Sequence, residues 1–309
     1  WDGGVLFSPD GKYIAYRTHL IPGFEADRFR VAIYNTQTLQ SEVLTESFDY
    51  TTDNLSWSFD SKSVYFTADN RGYCPVYRID VQSKNITKVT DDKAILDYQV
   101  TKDEQTVYAL FSAVDKPGEI YSYNVNGSEY SQITYFNKKL IEETDIRPAE
   151  QMWVDGAEGI PVHVFIVKPH GYEENKKYPL IINVHGGPQM QWMDSFRGDW
   201  QVYPGSGYVV AFFNPHGSTG YGSAYTEAIS RDWGGKVYED VMKVTEALEK
   251  LAYIDSNSVG AMGWSYGGFM MNFLQGQTKK FKCFASMMGI FDLESMWGAT
   301  EELWFVNWD

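Results

Sequence analysis

The sequence predicts two parts in tandem, a partial β-propeller of about three blades over residues 1–140 and a doubly wound α/β domain over 141–309. Three observations carry that prediction. A strand-and-turn repeat is confined to the first part, strands alternate with helices in the second, and a glycine-flanked serine sits between a strand and a helix late in the chain.

The repeat begins at Ser8-Pro9-Asp10-Gly11-Lys12 and runs into Tyr13–Tyr16. It recurs at Ser58-Phe59-Asp60-Ser61-Lys62 and at Thr101-Lys102-Asp103-Glu104-Gln105, each time followed by an alternating strand. A second strand of each copy carries Tyr34, Tyr77 or Tyr121. A period of about 45 residues built from strands and polar turns is the signature of propeller blades; an open antiparallel sandwich is the alternative. Closed propellers use roughly 4–8 blades, so an incomplete ring and a chain that is a fragment are expected. The aromatic content of 16% suits blade cores.

From 141 onward the pattern changes. Ile160–Val167 reads as an antiparallel edge strand, and Leu180–Val184 and Tyr208–Phe213 as buried strands. Lys236–Ala252 reads as an amphipathic helix with Val237, Val241, Val244, Leu248 and Leu251 on one stripe. Ser258–Met262 forms a further strand, Phe269, Met270, Phe273 and Leu274 fall at helical spacing, and Phe281–Met288 is the next strand.

Between the last helix and the strand before it lies Gly263-Trp264-Ser265-Tyr266-Gly267-Gly268, a Gly-x-Ser-x-Gly nucleophile elbow. Small neighbours leave room for a serine in a strained turn, its hydroxyl exposed and the positive end of a new helix beneath it. Upstream, after the Leu180–Val184 strand, comes His185-Gly186-Gly187-Pro188. This is where an α/β-hydrolase places the loop that donates one oxyanion-hole amide, here Gly187, with the Tyr266 amide as the second donor. The fold expected for 141–309 is therefore an α/β-hydrolase, incomplete at its C-terminus.

Composition bounds the rest. The 309 residues give room for two domains, and hydrophobic and charged contents of 43% and 22% describe a globular protein. A net charge of −15 argues against nucleic acid and anionic membranes as partners, and no apolar run is long enough to span a bilayer. Cys74 and Cys283 fall in different predicted domains, so they are expected to be free thiols. The five histidines, His19, His163, His170, His185 and His216, cluster neither with one another nor with cysteine, so neither a metal nor a cofactor is expected. Sequons at Asn54, Asn85 and Asn126 would accept glycans on a eukaryotic secretory route, which leaves secreted, periplasmic and cytoplasmic locations open. Homo-oligomerisation is also left open.

These motifs, with Asn214-Pro215-His216-Gly217-Ser218-Thr219-Gly220-Tyr221-Gly222 and Asp232-Trp233-Gly234-Gly235, resemble the prolyl oligopeptidase family of serine peptidases over roughly residues 145–309. The preceding propeller segment matches that family's domain order. His185–Pro188 resembles the branch of acylaminoacyl-peptidases and dipeptidyl-peptidases 5, and Phe291–Trp297 with Thr300–Phe305 looks closest to the latter. His216 departs from the arginine often found there. The resemblance implies cleavage of short peptides, most closely release of N-terminal dipeptides, by way of an acyl-enzyme on Ser265. Acylaminoacyl-peptidase and carboxylesterase activities are alternatives within the hydrolases, and a catalytically degenerate binding protein is the alternative outside them.

The family's triad runs Ser, Asp, His, and both partners of Ser265 would lie beyond Asp309, since every histidine precedes the serine. His185 and His216 are poor substitutes because this topology places the base after the last strands. Asp292 and Glu294 come one strand too early for the triad acid. Candidate substrate-binding residues are Phe291 and Trp297 for the residue before the cut bond, and Glu301 and Glu302 for a free amine.

Overall fold

The structure, a computed structural model, describes residues 1–126 and 129–308, without the side chain of Phe305. The sequon at Asn126 runs into residues outside that description. Three four-stranded antiparallel sheets come first. Blade 1 comprises β1 (Asp2–Phe7), β2 (Tyr13–Thr18), β3 (Arg30–Asn35) and β4 (Gln40–Val43). Blade 2 comprises β5 (Thr52–Trp57), β6 (Ser63–Ala68), β7 (Val76–Asp80) and β8 (Ile86–Lys88), and blade 3 β9 (Ala94–Val100), β10 (Thr106–Ala113), β11 (Lys116–Asn124) and β12 (Tyr130–Gln132).

The sequence repeat is a repeat of hydrogen bonds. In blade 1 the Ser8 hydroxyl donates to Asp10 (2.7 Å), and Asp10 and Ser8 accept the amides of Lys12 and Tyr13. Ser58 and Asp60 do the same for Lys62 and Ser63, as do Thr101 and Asp103 for Gln105 and Thr106. A short polar side chain that satisfies turn amides is why these residue types recur between strands. Between the blades, Trp57, Val64, Phe66, Tyr77 and Ile79 of blade 2 pack on Ala15, Val31 and Ile33 of blade 1. Tyr65 and Val76 pack on Val107, Tyr121 and Tyr123 of blade 3.

After helix α1 (Lys138–Glu143), which spans the expected boundary at 140/141, a six-stranded sheet follows. Its strands are β13 (Ala149–Asp155), β14 (Pro161–Val167), β15 (Tyr178–Val184), β16 (Val209–Asn214), β17 (Ile254–Trp264) and β18 (Cys283–Met287). The spatial order is β13-β14-β16-β15-β17-β18, antiparallel up to β16 and parallel from there. One expectation changes: β14 is not the edge strand. β13 lies outside it, and Pro161 sits at the first position of β14 opposite Asp155, where its missing N–H interrupts little of the ladder. In Ala149–Asp155, exposed at Glu150, Gln151 and Trp153, the apolar run is only Met152-Trp153-Val154, too short to mark a strand in the sequence.

Helices α2 (Asp199–Gly205), α3 (Ser223–Glu227), α4 (Gly235–Glu249) and α5 (Tyr266–Gln277) flank the sheet, followed by α6 (Leu293–Ala299) and α7 (Leu303–Trp308). On α4 the valines and Leu248 of the predicted stripe are fully buried against Val184, Val259 and Ala261. Burial of such side chains contributes about 1.5–3 kcal/mol each.

Candidate active site

The elbow is built by steric exclusion. Ser265 caps α5 from a left-handed backbone conformation (φ 58°, ψ −116°), costly for a non-glycine residue by about 1–3 kcal/mol. Its flanking glycines are dictated by contact. A side chain on Gly263 would collide with the Gly267 backbone, one on Gly267 with the Val184 carbonyl, and one on Gly268 would come 2.6 Å from Gly289. The Ser265 amide donates to the Met287 carbonyl (2.9 Å), tying the turn to β18. Tyr266 is the first residue of α5, so its N–H has no carbonyl four residues back within the helix. Its ring is buried, with the hydroxyl donating to the Trp233 carbonyl (2.6 Å).

The loop after β15 meets this turn. A side chain on Gly186 would come 3.2 Å from Ser265 Cβ and 3.1 Å from the Trp264 carbonyl, while Gly187 needs a glycine for its own φ of 109°. The close approach to the serine is thus made by Gly186, and Gly187 turns the backbone beyond it. His185, 1% exposed, donates from Nδ1 to the Gly186 carbonyl (2.6 Å) and places Nε2 2.8 Å from Ser218 Oγ. Burial pushes its imidazole down to about 4, so it is neutral at pH 7.

Among the described residues no histidine hydrogen-bonds Ser265. His216 is a buried loop residue whose Nδ1 lies 2.7 Å from Asp240 Oδ2; that carboxylate also accepts the amides of His216 and Ala157. His163 bonds Tyr221 and Gln151, and its pKa is lowered to about 4 by burial and by the charge of Arg71. His19 packs at a tilt against the Phe29 ring. Asp292 is an N-cap: it accepts the amides of Glu294 and Ser295 and the Ser295 hydroxyl, which holds its carboxyl below the usual range. Cys74 and Cys283 are free, and burial raises the Cys74 pKa.

A cavity of about 620 Å³ borders Gly187, walled by Trp1, Phe24, Phe29 and Trp304, with Glu25 and Glu302 in its lining. Of the four residues expected to touch substrate, Glu302 is brought to this cavity. Glu301 is exposed outside its lining, and Phe291 is 89% exposed. Trp297, 60% exposed, borders a separate apolar groove with Trp233, Phe269 and Phe273. Glu25 was not visible in the sequence. It lies in the loop between β2 and β3, held by Asp27, which accepts the amides of Leu20 and Ile21, and tied to α7 by the Trp304 indole (3.1 Å). The length of that loop, the longest of the three corresponding loops, is the one signal it left.

A second cavity of about 250 Å³, with Arg17, Asp27, Arg28 and Asp49 in its lining, shares His19, Glu25, Phe29 and Gln189 with the first and continues between propeller and hydrolase to Asp53 and Asp69. Asp69, half-buried, borders this space. Burial raises its pKa, against the hydrogen bonds from Thr219 and Gln191.

Comparison with known proteins agrees with this architecture. Residues 194–309 match the family described as "Prolyl oligopeptidase family". The chain is 32% identical to a dipeptidyl-peptidase 5 of Porphyromonas gingivalis, over 100% of this chain and 46% of that protein. It is 34% identical to a dipeptidyl-peptidase 5 of Trichophyton schoenleinii, over 98% and 43%. It therefore spans less than half the length of the curated relatives it matches. Among solved structures, Pyrococcus horikoshii acylaminoacyl peptidase superposes with a TM-score of 0.86 at 22% identity, covering 97% of this chain and 47% of that one, a likeness of fold. With the elbow, the glycine loop and the blade-then-hydrolase order already in place, these matches lead to one conclusion: the chain belongs to the prolyl oligopeptidase family of serine peptidases.

Proposed function

We propose that the protein is a serine peptidase of the dipeptidyl-peptidase 5 type, releasing dipeptides from free N-termini of short peptides through an acyl-enzyme on Ser265. The supporting observation is the strained Ser265 at the head of α5 with Gly186 packed against it. In this reading residues 1–140 and 141–309 are the propeller and catalytic domains, and the histidine and aspartate of the triad lie outside residues 1–309. The histidine takes the Ser265 proton as Oγ bonds to the peptide carbonyl carbon. The Gly187 and Tyr266 amides stabilise the oxyanion, each worth about 2.7–4 kcal/mol if removed. Collapse of the intermediate breaks the C–N bond, the histidine returning the proton to the leaving amine, and water then hydrolyses the ester.

Glu25 and Glu302, facing the cavity at Gly187, supply the anions that a free ammonium needs and that a blocked N-terminus does not. Full-length protein is expected to cleave Ala- and Lys-based dipeptide reporters with kcat/KM at least about tenfold above their acetylated forms, a difference of about 1.4 kcal/mol. Glu25→Gln and Glu302→Gln should narrow that gap. Preference for acetylated reporters would replace this reading with an acylaminoacyl-peptidase, and preference for esters over matched amides with a carboxylesterase.

A further inference from the structure

The loop that carries Gly187 is gripped at its far end by the propeller. Three residues after Pro188 comes Gln191, 5% exposed, and its side-chain amide is engaged across the domain boundary by the tip of the β6–β7 hairpin. Its Oε1 accepts the Gly72 amide (2.9 Å) and its Nε2 donates to the Tyr73 carbonyl (2.7 Å), so one side chain pairs with the hairpin as a strand would. The same tip closes on the neighbouring backbone. The Arg71 amide donates to the Gly220 carbonyl (3.0 Å), and the Asp194 amide donates to the Gly72 carbonyl (2.9 Å). The fit leaves no slack: a side chain on Gly72 would reach Phe165 and come 3.3 Å from His163, and one on Gly220 would come 2.6 Å from Gln191 Oε1.

From Gln191 the constraint runs back to the catalytic turn along a short tether. The Thr219 amide donates to the Met190 carbonyl (3.1 Å), and the Met190 amide to the Pro188 carbonyl (2.9 Å). If the hairpin withdrew, both polar atoms of the Gln191 amide would exchange fixed protein partners for mobile water. On its far side the chain is held by Asn214, which accepts the Trp192 amide and donates to the Trp192 carbonyl, so the freed stretch between is Pro188–Gln191, which adjoins Gly187.

We propose that Gln191 is a positioning residue through which the blade 2 hairpin tip, Asp69–Cys74, sets the oxyanion loop, so that Gly187 is correctly aimed only when the propeller is docked. This rests on the serine-peptidase reading above. Misplacement of a catalytic group by about 1 Å can lower the rate about 100-fold.

The test uses full-length protein with Gln191→Leu, which removes both bonds at similar volume, and Gln191→Glu, which keeps the acceptor for Gly72. Gly72→Ala displaces the tip from the propeller side should the core variants fail to fold. Measured are kcat, KM, inhibition by a peptide aldehyde that forms the tetrahedral adduct, and melting temperature. Gln191→Leu and Gly72→Ala are expected to lower kcat about 10–100-fold and weaken the aldehyde in proportion, with KM within about threefold and Gln191→Glu intermediate. Unchanged kcat and aldehyde affinity beside a lowered melting temperature would make Gln191 structural only and overturn the proposal. Ser265→Ala separates the two claims: turnover retained there defeats the serine reading, whereas an inert Ser265→Ala with fully active Gln191→Leu and Gly72→Ala defeats the positioning role alone.

Discussion

Ser265 shows what a single residue can reveal in sequence and what it cannot. The glycines at 263, 267 and 268 were legible because each is demanded by backbone contact within a few residues or with an adjacent strand, a local requirement that fixes residue type. Glu25 and Gln191 were illegible because their significance comes from partners far away in sequence, α7 for one and the β6–β7 tip for the other. The buried histidines give a prediction at this scale. His185 and His163 are held neutral down to about pH 4, whereas an imidazole in the unfolded chain titrates near 6.5. The unfolded state then binds more protons between those values, so stability present above pH 6.5 is lost as pH falls toward 4. For the fully enclosed His185 the loss is on the order of 3 kcal/mol. Urea denaturation should show a midpoint that declines from pH 7 to pH 4.5, and His163→Gln should flatten part of that slope; a midpoint independent of pH would contradict neutral burial.

Among the elements, those with strong periodicity were read correctly, including α4 and strands β15–β17, because one-sided or two-sided burial writes itself into the order of apolar residues; β18 was found from its apolar composition although none of its residues is buried. β13 escaped because an edge strand can be polar, and with it unseen β14 was assigned to the edge. Helix α6 sharpens the functional assignment. Asp292 spends its carboxylate on the amides at that helix's start, which is the behaviour of a cap. Asp292→Ala should therefore lower the melting temperature while leaving kcat/KM of full-length protein nearly unchanged. A loss of several orders of magnitude in kcat would instead assign Asp292 to catalysis.

At the scale of the whole molecule the blades do more than accompany the hydrolase. Blade 1 supplies Glu25 to the cavity at Gly187, and blade 2 supplies Asp69 to its continuation. Asp49 of the propeller also accepts the Ser223 hydroxyl at the start of α3 (2.6 Å). The legible part of this arrangement was its order, blades before hydrolase; the seam itself depends on side chains that meet only after folding. On the proposed function, full-length protein should cleave short peptides and leave a folded protein such as native ribonuclease intact, as gel analysis of both digests would show. Degradation of the native protein at a comparable rate would mean the site is open.

The central claim is that Ser265 is an activated nucleophile, and the most direct measurement is fluorophosphonate labelling of full-length protein with mapping of the modified peptide. Modification at Ser265 that is absent in Ser265→Ala is the predicted result. A folded protein that takes up no label would contradict it and favour a degenerate hydrolase acting as a binding module.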